Sequence, residues 1–338
     1  MPLLHDRFPA LRGSLPHLQL GERPTPVRAL EGLSAEGRAP VWLKDDGAFG
    51  SGPWGGNKVR KLEWLLPEAR RRGASTLVTV GGLGTNWGLA AALYGREQGL
   101  RTVLALVDQP MDEHVRRQLE RLRASGASLH FTHGKARTIA ALPWLLLRNT
   151  GRRPPYVLPA GGSTAVGVLG YVEAAFEIAD QVAGGTLPEP SHLVVPMGSA
   201  GTAAGLALGF RLAGLHTRVV GVPVTHQLRL DPRSTAKLAR RAAALLRRRG
   251  AGLPADAPPE DDLTVLDGWI GAGYGHPTAA GEAATAAVRD GDGLALDPVY
   301  TAKAVAALRA ENRAGRFGDG PVLYLHTDGP RPAARAGY

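Results

Sequence analysis

The sequence predicts an α/β protein built from two open, twisted and mostly parallel sheets that are flanked by helices. Short apolar runs alternate with helix-length amphipathic segments along most of its 338 residues. Several of the apolar runs end in glycine-rich turns, as strands do where a helix follows. The length also suffices for two domains of ordinary size. We therefore expect two α/β lobes with a cleft between them.

The predicted strands form two sets along the chain. The first set surrounds two segments with helical spacing, 86–99 and 111–126, each of which ends at a glycine. The second set follows, and proline- and glycine-rich loops are predicted at 185–190 and 252–262. The predicted strands are 76–82, 102–108 and 128–134 in the first set, and 156–162, 192–201, 218–224 and 321–329 in the second.

The composition is that of a cytoplasmic enzyme. Hydrophobic residues make up 44% of the chain, charged residues 21%, and no apolar run reaches the roughly 18 residues of a transmembrane helix. The N-terminus lacks the charged and apolar regions of a signal peptide. The absence of cysteine excludes disulfides, thiolate metal sites and a cysteine nucleophile. We expect no membrane partner and no metal.

The net charge of +10 does not by itself indicate nucleic-acid binding. The excess is mostly arginine, concentrated at 69–74 and 238–252, and is typical of solvated helix faces and helix C-termini. Aromatic residues make up 6% of the chain and do not alternate with the basic runs, as a base-stacking surface requires. We expect no nucleic-acid partner and a charge that attracts anionic small molecules.

The turn after the strand at 76–82 does not match a dinucleotide-binding fingerprint. Read as G-x-G-x-x-G from Gly82, it continues with Gly84 and then has Trp87 in place of the third glycine. That glycine lets the helix and strand pack closely, which tryptophan does not allow. A nicotinamide-dependent dehydrogenase is therefore disfavoured.

Lys58 and Lys61 follow a Gly-Gly turn and lie three residues apart, so both can point along one helical face. They fit either two surface lysines or a pair in which one lysine forms a Schiff base and the other holds an anion. A free lysine has a pKa of about 10.4, so a nucleophilic lysine needs burial or nearby positive charge. Arg60 and Lys61 would supply that charge.

Three further stretches carry polar groups in turns. In 196–209, backbone N–H groups and the hydroxyls of Ser199 and Thr202 suit a phosphate, although the pattern is not a nucleotide P-loop. The turn at 159–171 is of the same kind. Tyr274 and Tyr300 each lie among turn residues and offer phenols as acid or base. Taken singly, each stretch fits a structural role as well.

The order of these motifs resembles the 1-aminocyclopropane-1-carboxylate deaminase and D-cysteine desulfhydrase family. Between residues 8 and 330 come a lysine after Gly-Gly-Asn, an asparagine turn, PAGGS, GSAGT, Gly-Tyr-Gly and Asp-Pro-Val-Tyr-Thr. The resemblance implies a homodimeric pyridoxal-phosphate enzyme of fold type II, the tryptophan-synthase-β-like fold. It also implies a large domain of residues 1–55 plus 162–338 and a small domain of residues 56–161.

The resemblance assigns cofactor contacts. Lys58 would form the Schiff base, Lys61 would reach the phosphate, and Asn86 would hydrogen-bond the 3′-oxygen. Thr301 occupies the position of the partner of the pyridine nitrogen, where the desulfhydrase has threonine and the deaminase has glutamate. A neutral hydroxyl at this position favours elimination of a good leaving group over opening of a cyclopropane. The implied phosphate cradle consists of Gly198, Ser199, Ala200, Gly201 and Thr202.

The resemblance also implies which residues face the substrate. Lys58, Thr85, Tyr274 and Tyr300 would be catalytic. The implied substrate contacts are Thr85, Asn86, Trp87, Ser163, Tyr274 and Tyr300.

The chain departs from the family pattern at the start of the helix that follows residue 85. The family usually has Ser-Asn, then His or Gln, then Thr-Arg, whereas this chain reads Thr-Asn-Trp-Gly-Leu at 85–89. Thr85 keeps a hydroxyl, but Trp87 places a large ring where the family has a polar side chain. Residues 326–329 read HTDG where the family commonly has His-Thr-Gly-Gly. We interpret these changes as an altered substrate pocket.

The sequence therefore predicts a pyridoxal-phosphate-dependent lyase or deaminase that acts on a small amino acid, D- or β-substituted amino acids included, and releases an oxo acid and ammonia. A β-replacement enzyme, or a specialised enzyme of secondary metabolism, is the alternative on the same fold. A catalytically inactive homologue that binds an anion is the alternative from another class. The presence of Lys58, Lys61, Asn86 and the phosphate loop disfavours that last alternative.

Overall fold

The computed structural model describes residues 1–50, 52, 54–253 and 262–329. Most of the loop predicted at 252–262, and residues 330–338 of the predicted large domain, lie outside this described part. Within it, the strands form one sheet of six and one sheet of four. The mixed α/β class with two mostly parallel sheets is confirmed.

The six-stranded sheet is built from both ends of the chain. Among the described strands, only Val27–Ala29 and Val41–Asp45 form an antiparallel pair, and all other neighbouring strands of this sheet run parallel. Its spatial order is β1 (Val27–Ala29), β2 (Val41–Asp45), β10 (Val322–His326), β7 (His192–Met197), β8 (Arg218–Pro223) and β9 (Leu263–Val265).

The four-stranded sheet is parallel throughout and comes from the middle of the chain. Its strands lie inside the range predicted for the small domain, whereas the exact boundaries of the two domains stay a prediction. Its spatial order is β5 (Ser128–His133), β4 (Arg101–Val107), β3 (Thr76–Gly82) and β6 (Tyr156–Leu158).

Helices cover the sheets, and their apolar faces form the core. The helix that begins at Lys58 packs on helices of both parts of the chain and carries a continuous run of buried residues from 59 to 66. The helices are α1 (Leu3–Arg7), α2 (Glu31–Ala35), α3 (Lys58–Arg71), α4 (Asn86–Glu97), α5 (Glu113–Ala124), α6 (Lys135–Arg148), α7 (Leu169–Ala183), α8 (Gly201–Ala213), α9 (Pro232–Arg248), α10 (Ala279–Asp292) and α11 (Thr301–Arg313).

Parallel strands place their carboxyl ends at one edge of a sheet, where ligands of open α/β sheets bind. β3 ends at Gly82, one turn before α4, and β7 ends at Met197, just before the glycine-rich loop to α8. Gly82 and Gly198, the residue after Met197, line the same cavity. No helix in the described part of the chain is long and apolar enough to cross a membrane.

Candidate active site

A cavity of about 420 Å³ lies between the carboxyl ends of the two sheets. It brings together residues that the sequence places up to 274 positions apart, from Trp54 to Asp328. The sequence-predicted residues that line it are Lys58, Thr85, Asn86, Trp87, Gly198, Ser199, Tyr274 and Tyr300. Those that are not among its lining residues are Lys61, Ser163, Ala200, Gly201, Thr202 and Thr301.

Lys58 is the first residue of α3 and follows a turn that only glycine fits easily. Gly56 has a φ of 104°, and its N–H donates to the carbonyl of Phe49 at 2.7 Å. A β-carbon on Gly329 would lie 2.7 Å from the Gly56 nitrogen, so the segment after β10 packs directly on this turn. The Lys58 amine lies 6.0 Å from the centre of the Tyr300 ring, which places it beside the two tyrosines.

Tyr274 and Tyr300 come from distant turns, and their hydroxyls lie 2.8 Å apart. Burial raises the pKa of both phenols, Tyr300 well above its ordinary value, and the carboxylate of Asp297 adds to the rise. Both phenols are therefore protonated near neutral pH. The pair can pass a proton to a leaving group, but neither member is an effective base in this state.

Asp297 is a site residue that the sequence analysis did not single out, although it opens the Asp-Pro-Val-Tyr-Thr motif. One carboxylate oxygen accepts the N–H groups of Val299 and Tyr300 at 2.9 and 2.7 Å. The other accepts the N–H and the hydroxyl of Thr301 at 3.0 and 2.7 Å. Asp297 lines the cavity and fixes the turn that presents Tyr300.

Thr301 itself is fully buried and stands behind the cavity wall. Its hydroxyl donates to the Asp297 carboxylate and accepts the Asp297 N–H at 2.7 Å. Thr327, in the HTDG stretch after β10, does line the cavity. In the sequence the HTDG stretch differs from the family pattern, but nothing in it indicates that the side chain of Thr327 lines the cavity. The role of Thr301 toward the cofactor stays a prediction.

Lys61 lies on the buried side of α3 with no surface exposed. Its ammonium donates to the Gly161 carbonyl at 3.0 Å, and no carboxylate of the described residues forms an ion pair with it. Burial lowers the pKa of Lys61 well below its ordinary value, and the neighbouring charge of Lys58 lowers it further. An anion placed beside Lys61 would raise this pKa again and stabilise the charged form of the amine.

The surroundings of Lys61 have the shape of an anion cradle. A β-carbon on Gly201 would lie 2.9 Å from the Lys61 amine, and one on Gly161 would lie 2.4 Å from the Ser199 hydroxyl. The Ser163 hydroxyl donates to Ser199 at 2.9 Å and accepts the Gly201 N–H at 3.1 Å, which ties the PAGGS turn to the start of α8. Glycine N–H groups, a helix N-terminus and a buried lysine together fit a phosphate group.

Arg60 does not supply the charge that the sequence analysis expected it to lend to Lys58. Its guanidinium is buried and paired with Asp46 at 2.8 Å and Glu177 at 3.0 Å. Lys44 also contacts Glu177, and the Tyr171 hydroxyl donates to Asp46 at 2.9 Å. This buried ion cluster neutralises Arg60 and anchors the first turn of α3 to α7.

The 85–87 segment has a definite geometry. The Thr85 hydroxyl accepts the Gly88 N–H at 3.1 Å and so caps α4. The side-chain carbonyl of Asn86 accepts from the Gln118 amide at 2.8 Å, which leaves the Asn86 NH₂ group as a donor on the cavity wall. Gln118 was missed because its link to Asn86 is a tertiary contact.

Trp87 is a packed part of the cavity floor. Its indole N–H donates to the Thr79 hydroxyl at 2.8 Å, and the side chain is buried. A β-carbon on Gly162 would lie 2.5 Å from the Trp87 ring, and Gly162 has a φ of 65°. The ring therefore requires glycine at that position. Whether Thr85, Trp87 and Ser163 contact the substrate stays a prediction.

The described residues contain no group of three or more His, Asp or Glu placed to hold a metal ion.

Comparisons with known proteins identify the family of this chain. Residues 18–328 match the family described as "Pyridoxal-phosphate dependent enzyme". The chain is 36% identical to a D-cysteine desulfhydrase of Klebsiella pneumoniae (strain 342), over 93% of this chain and 94% of that protein. It is 35% identical to a D-cysteine desulfhydrase of Salmonella choleraesuis (strain SC-B67), over 97% of each chain.

A solved structure described as an ACC deaminase homologue superimposes with a TM-score of 0.79 and 29% identity, and the match covers 97% of this chain and 94% of that one. The fold is therefore type II of the pyridoxal-phosphate enzymes, as predicted, and a dehydrogenase is excluded. Sequence, fold and site agree that this chain belongs to the family of pyridoxal-phosphate dependent enzymes that contains the D-cysteine desulfhydrases and the ACC deaminase homologue.

Proposed function

We propose that this chain cleaves the bond between the β-carbon and its leaving group in a small amino acid, with D-cysteine as the first candidate substrate. With cysteine, the α-hydrogen and the β-sulfur depart, hydrogen sulfide leaves, and addition of water to the remaining enamine gives pyruvate and ammonia. The observation that carries the proposal is the juxtaposition of the Lys58 amine with the hydrogen-bonded Tyr274–Tyr300 pair in one cavity.

Several residues are suited to hold pyridoxal phosphate. Lys61, Ser199, Gly201 and the start of α8 form the cradle that fits its phosphate. The free NH₂ group of Asn86 is the donor for the ring oxygen, and Thr327 offers a hydroxyl on the wall beyond β10. Pyridoxal phosphate, once bound, withdraws electrons from the α-carbon of the amino acid joined to it and so makes the α-proton acidic.

Lys58 and the tyrosine pair divide the proton transfers. The Lys58 amine, freed when the substrate takes its place, removes the α-proton. Tyr300 or Tyr274 then donates to the departing sulfur, since both phenols are protonated. This division supports elimination, and no observation favours a β-replacement reaction or an inactive anion-binding protein.

The test begins with the colour of the protein. Cofactor-loaded wild type should be yellow, and Lys58→Ala should lose that absorbance and all activity. Lys237→Ala, at an exposed position on α9 outside the cavity, is the matched control. A wild-type protein that stays colourless with added pyridoxal phosphate would exclude this function.

The substrate is tested by assaying hydrogen sulfide, pyruvate and ammonia from D-cysteine, L-cysteine, β-chloroalanine and 1-aminocyclopropane-1-carboxylate. Release from D-cysteine but not L-cysteine supports the D-configuration. Ammonia from the cyclopropane compound alone would replace desulfhydrase by deaminase activity.

We also propose a homodimer in the cytoplasm, on the strength of the family resemblance. Sedimentation at several protein concentrations tests the dimer, which a constant monomer mass would exclude.

A further inference from the structure

β3 has two chemically different faces where it borders the cavity. Side chains alternate along a strand. Thr79 and Gly81 face α4, because Thr79 bonds Trp87 and a β-carbon on Gly81 would lie 2.4 Å from the Thr85 hydroxyl. Val78, Val80 and Gly82 therefore face the other side, which α6 covers.

Neighbouring strands extend this second face with apolar residues. In the parallel register, Val80 pairs with Ala105, Gly82 with Val107, and Val78 with Val157. Paired residues of adjacent strands point to the same side of the sheet. The sheet surface under α6 is thus apolar from β4 across β3 to β6.

α6 covers this surface unevenly. Its second half packs down on the sheet, with Leu145 fully buried against Val78, Val103 and Ala105. Beside its first half, part of the sheet stays uncovered: Ile139, which is 62% exposed, borders the cavity, and Val157 of β6 is 41% exposed. An open groove remains below this half of α6, and we call it the α6 groove. Its apolar walls are Val80, Ala105, Val107, Ile139, Leu142 and Val157, and Lys135 and Thr138 of this half of α6 also line the cavity.

The α6 groove is continuous with the catalytic residues. Its walls and the tyrosine pair line one cavity. Gly82 joins the two regions, because a β-carbon there would lie only 3.1 Å from the Tyr274 ring. Val80 lies two residues further along the same face, roughly 7 Å away. A chain of a few atoms on the β-carbon of the substrate can therefore extend from Tyr274 into the groove.

We propose that the α6 groove is a substrate subsite that receives an apolar alkyl or aryl group carried on the β-carbon of the amino acid. This inference rests on the proposed function, since it places the amino acid at Lys58 and the tyrosine pair. The preferred substrates are then β-substituted amino acids with an apolar leaving group, and a cysteine thiol leaves the groove unfilled.

Two amino acids without a leaving group test the subsite in the cofactor-loaded protein. Racemic 2-amino-4-phenylbutanoate carries a phenyl group into the groove, whereas racemic 2-aminobutanoate ends before it. Titration calorimetry gives the ratio of their Kd values. Burial of the ring should make the phenyl compound bind about tenfold tighter or more.

Variants locate the effect. Val157→Trp fills the groove and should bring the Kd ratio toward one. Leu147→Trp is the matched control, because Leu147 lies on α6, is 78% exposed and is outside the cavity. Should Val157→Trp fail to fold, Ile139→Glu places a charge at the same groove from a surface position, with Leu147→Glu as its control.

A ratio near one in the wild type overturns the subsite, as does an equal effect of the groove variant and its control. Turnover of β-chloroalanine, measured in parallel, tests the proposed function alone. Turnover with a ratio near one therefore removes the subsite and keeps the function, whereas absent turnover removes the function whatever the ratio.

Discussion

Replacing Glu177 by glutamine tests the buried ion cluster that holds the Lys58 helix in place. The carboxylate accepts from Arg60 at 3.0 and 3.1 Å and from the Thr25 N–H at 2.7 Å, and it contacts Lys44. Glutamine would turn an NH₂ group toward these donors. Two buried cations would then share the single charge of Asp46.

The structure sets the size of the effect. Burial alone would raise the pKa of Glu177, but Arg60 and Lys44 outweigh it and lower the pKa from 4.5 to about 2. A lowering of this size corresponds to about 3 kcal/mol of folding free energy. We therefore expect Glu177→Gln to lower the free energy of unfolding by about 3 kcal/mol at pH 7, within the range of broken buried ion pairs.

The pH dependence follows from the direction of the shift. Because the folded-state pKa lies below the unfolded one, the stabilisation is complete above about pH 4.5 and is lost as the pH falls toward 2. The gap between wild type and Glu177→Gln should thus shrink by about 2 kcal/mol between pH 5 and pH 3.

Urea unfolding followed by tryptophan fluorescence measures the gap. Asp180→Asn is the matched control, since Asp180 lies one turn further along α7 and pairs with Arg7 at the surface with 52% of its side chain exposed. Its loss should cost less than about 1 kcal/mol. A Glu177 variant as stable as this control, or a gap that stays constant down to pH 3, would refute the reasoning.

Three further predictions concern the cavity wall. Tyr300→Phe and Tyr274→Phe should each lower kcat on the order of 10²-fold. The double variant should lower kcat little further, because the two hydroxyls act as one hydrogen-bonded unit. Steady-state kinetics in which the losses of the single variants add up in the double variant would contradict this. Thr301→Val should lower the free energy of unfolding by about 1–2 kcal/mol, because its hydrogen bond to Asp297 is lost. Thr327→Val should change kcat more than it changes this free energy, because Thr327 lines the cavity. A larger effect of Thr301→Val on kcat than on stability would support Thr301 as the cofactor contact. Trp87→Phe should lower the free energy of unfolding by about 1 kcal/mol, because the Thr79 hydroxyl loses its indole donor. The variant should change KM while the cofactor absorbance is kept. A colourless variant would show that Trp87 supports the cofactor itself.

The longer strands could be predicted from the sequence because each is a buried apolar run bounded by turn residues. The strand predicted at 76–82 has these bounds in the structure, and the strand predicted at 192–201 ends at 197, where the glycine-rich loop begins. β2 was not predicted although it has five residues, whereas the three-residue β6 was predicted as part of the longer run 156–162. β1 and β9 were not predicted either, because an isolated strand of three residues carries too few side chains to show a period. Their places depend on pairing with β2 and β8.

The site could be predicted where a single stretch carries its chemistry, as at Lys58 and the glycine loop. It could not be predicted where a role depends on a partner far along the chain. In the sequence, Arg60 is a candidate positive charge near Lys58, but in the structure its charge is paired with Asp46 and Glu177. The side chain of Asn86 is oriented by its hydrogen bond with Gln118. Motif order identifies such sites, but tertiary contacts decide which hydroxyls and charges reach the cavity.

The two faces of β3 differ in how tightly they are packed beside the cavity. On the α4 face, Trp87 is fixed by Thr79 and by the absence of a side chain at Gly162, so a change there disturbs packed neighbours. On the α6 face, the groove beside Val80 is open, so side chains there can change at little cost in packing. The ring that marks this chain as unusual therefore forms a rigid floor, and under the proposed subsite a larger substrate is accommodated on the opposite face of the strand.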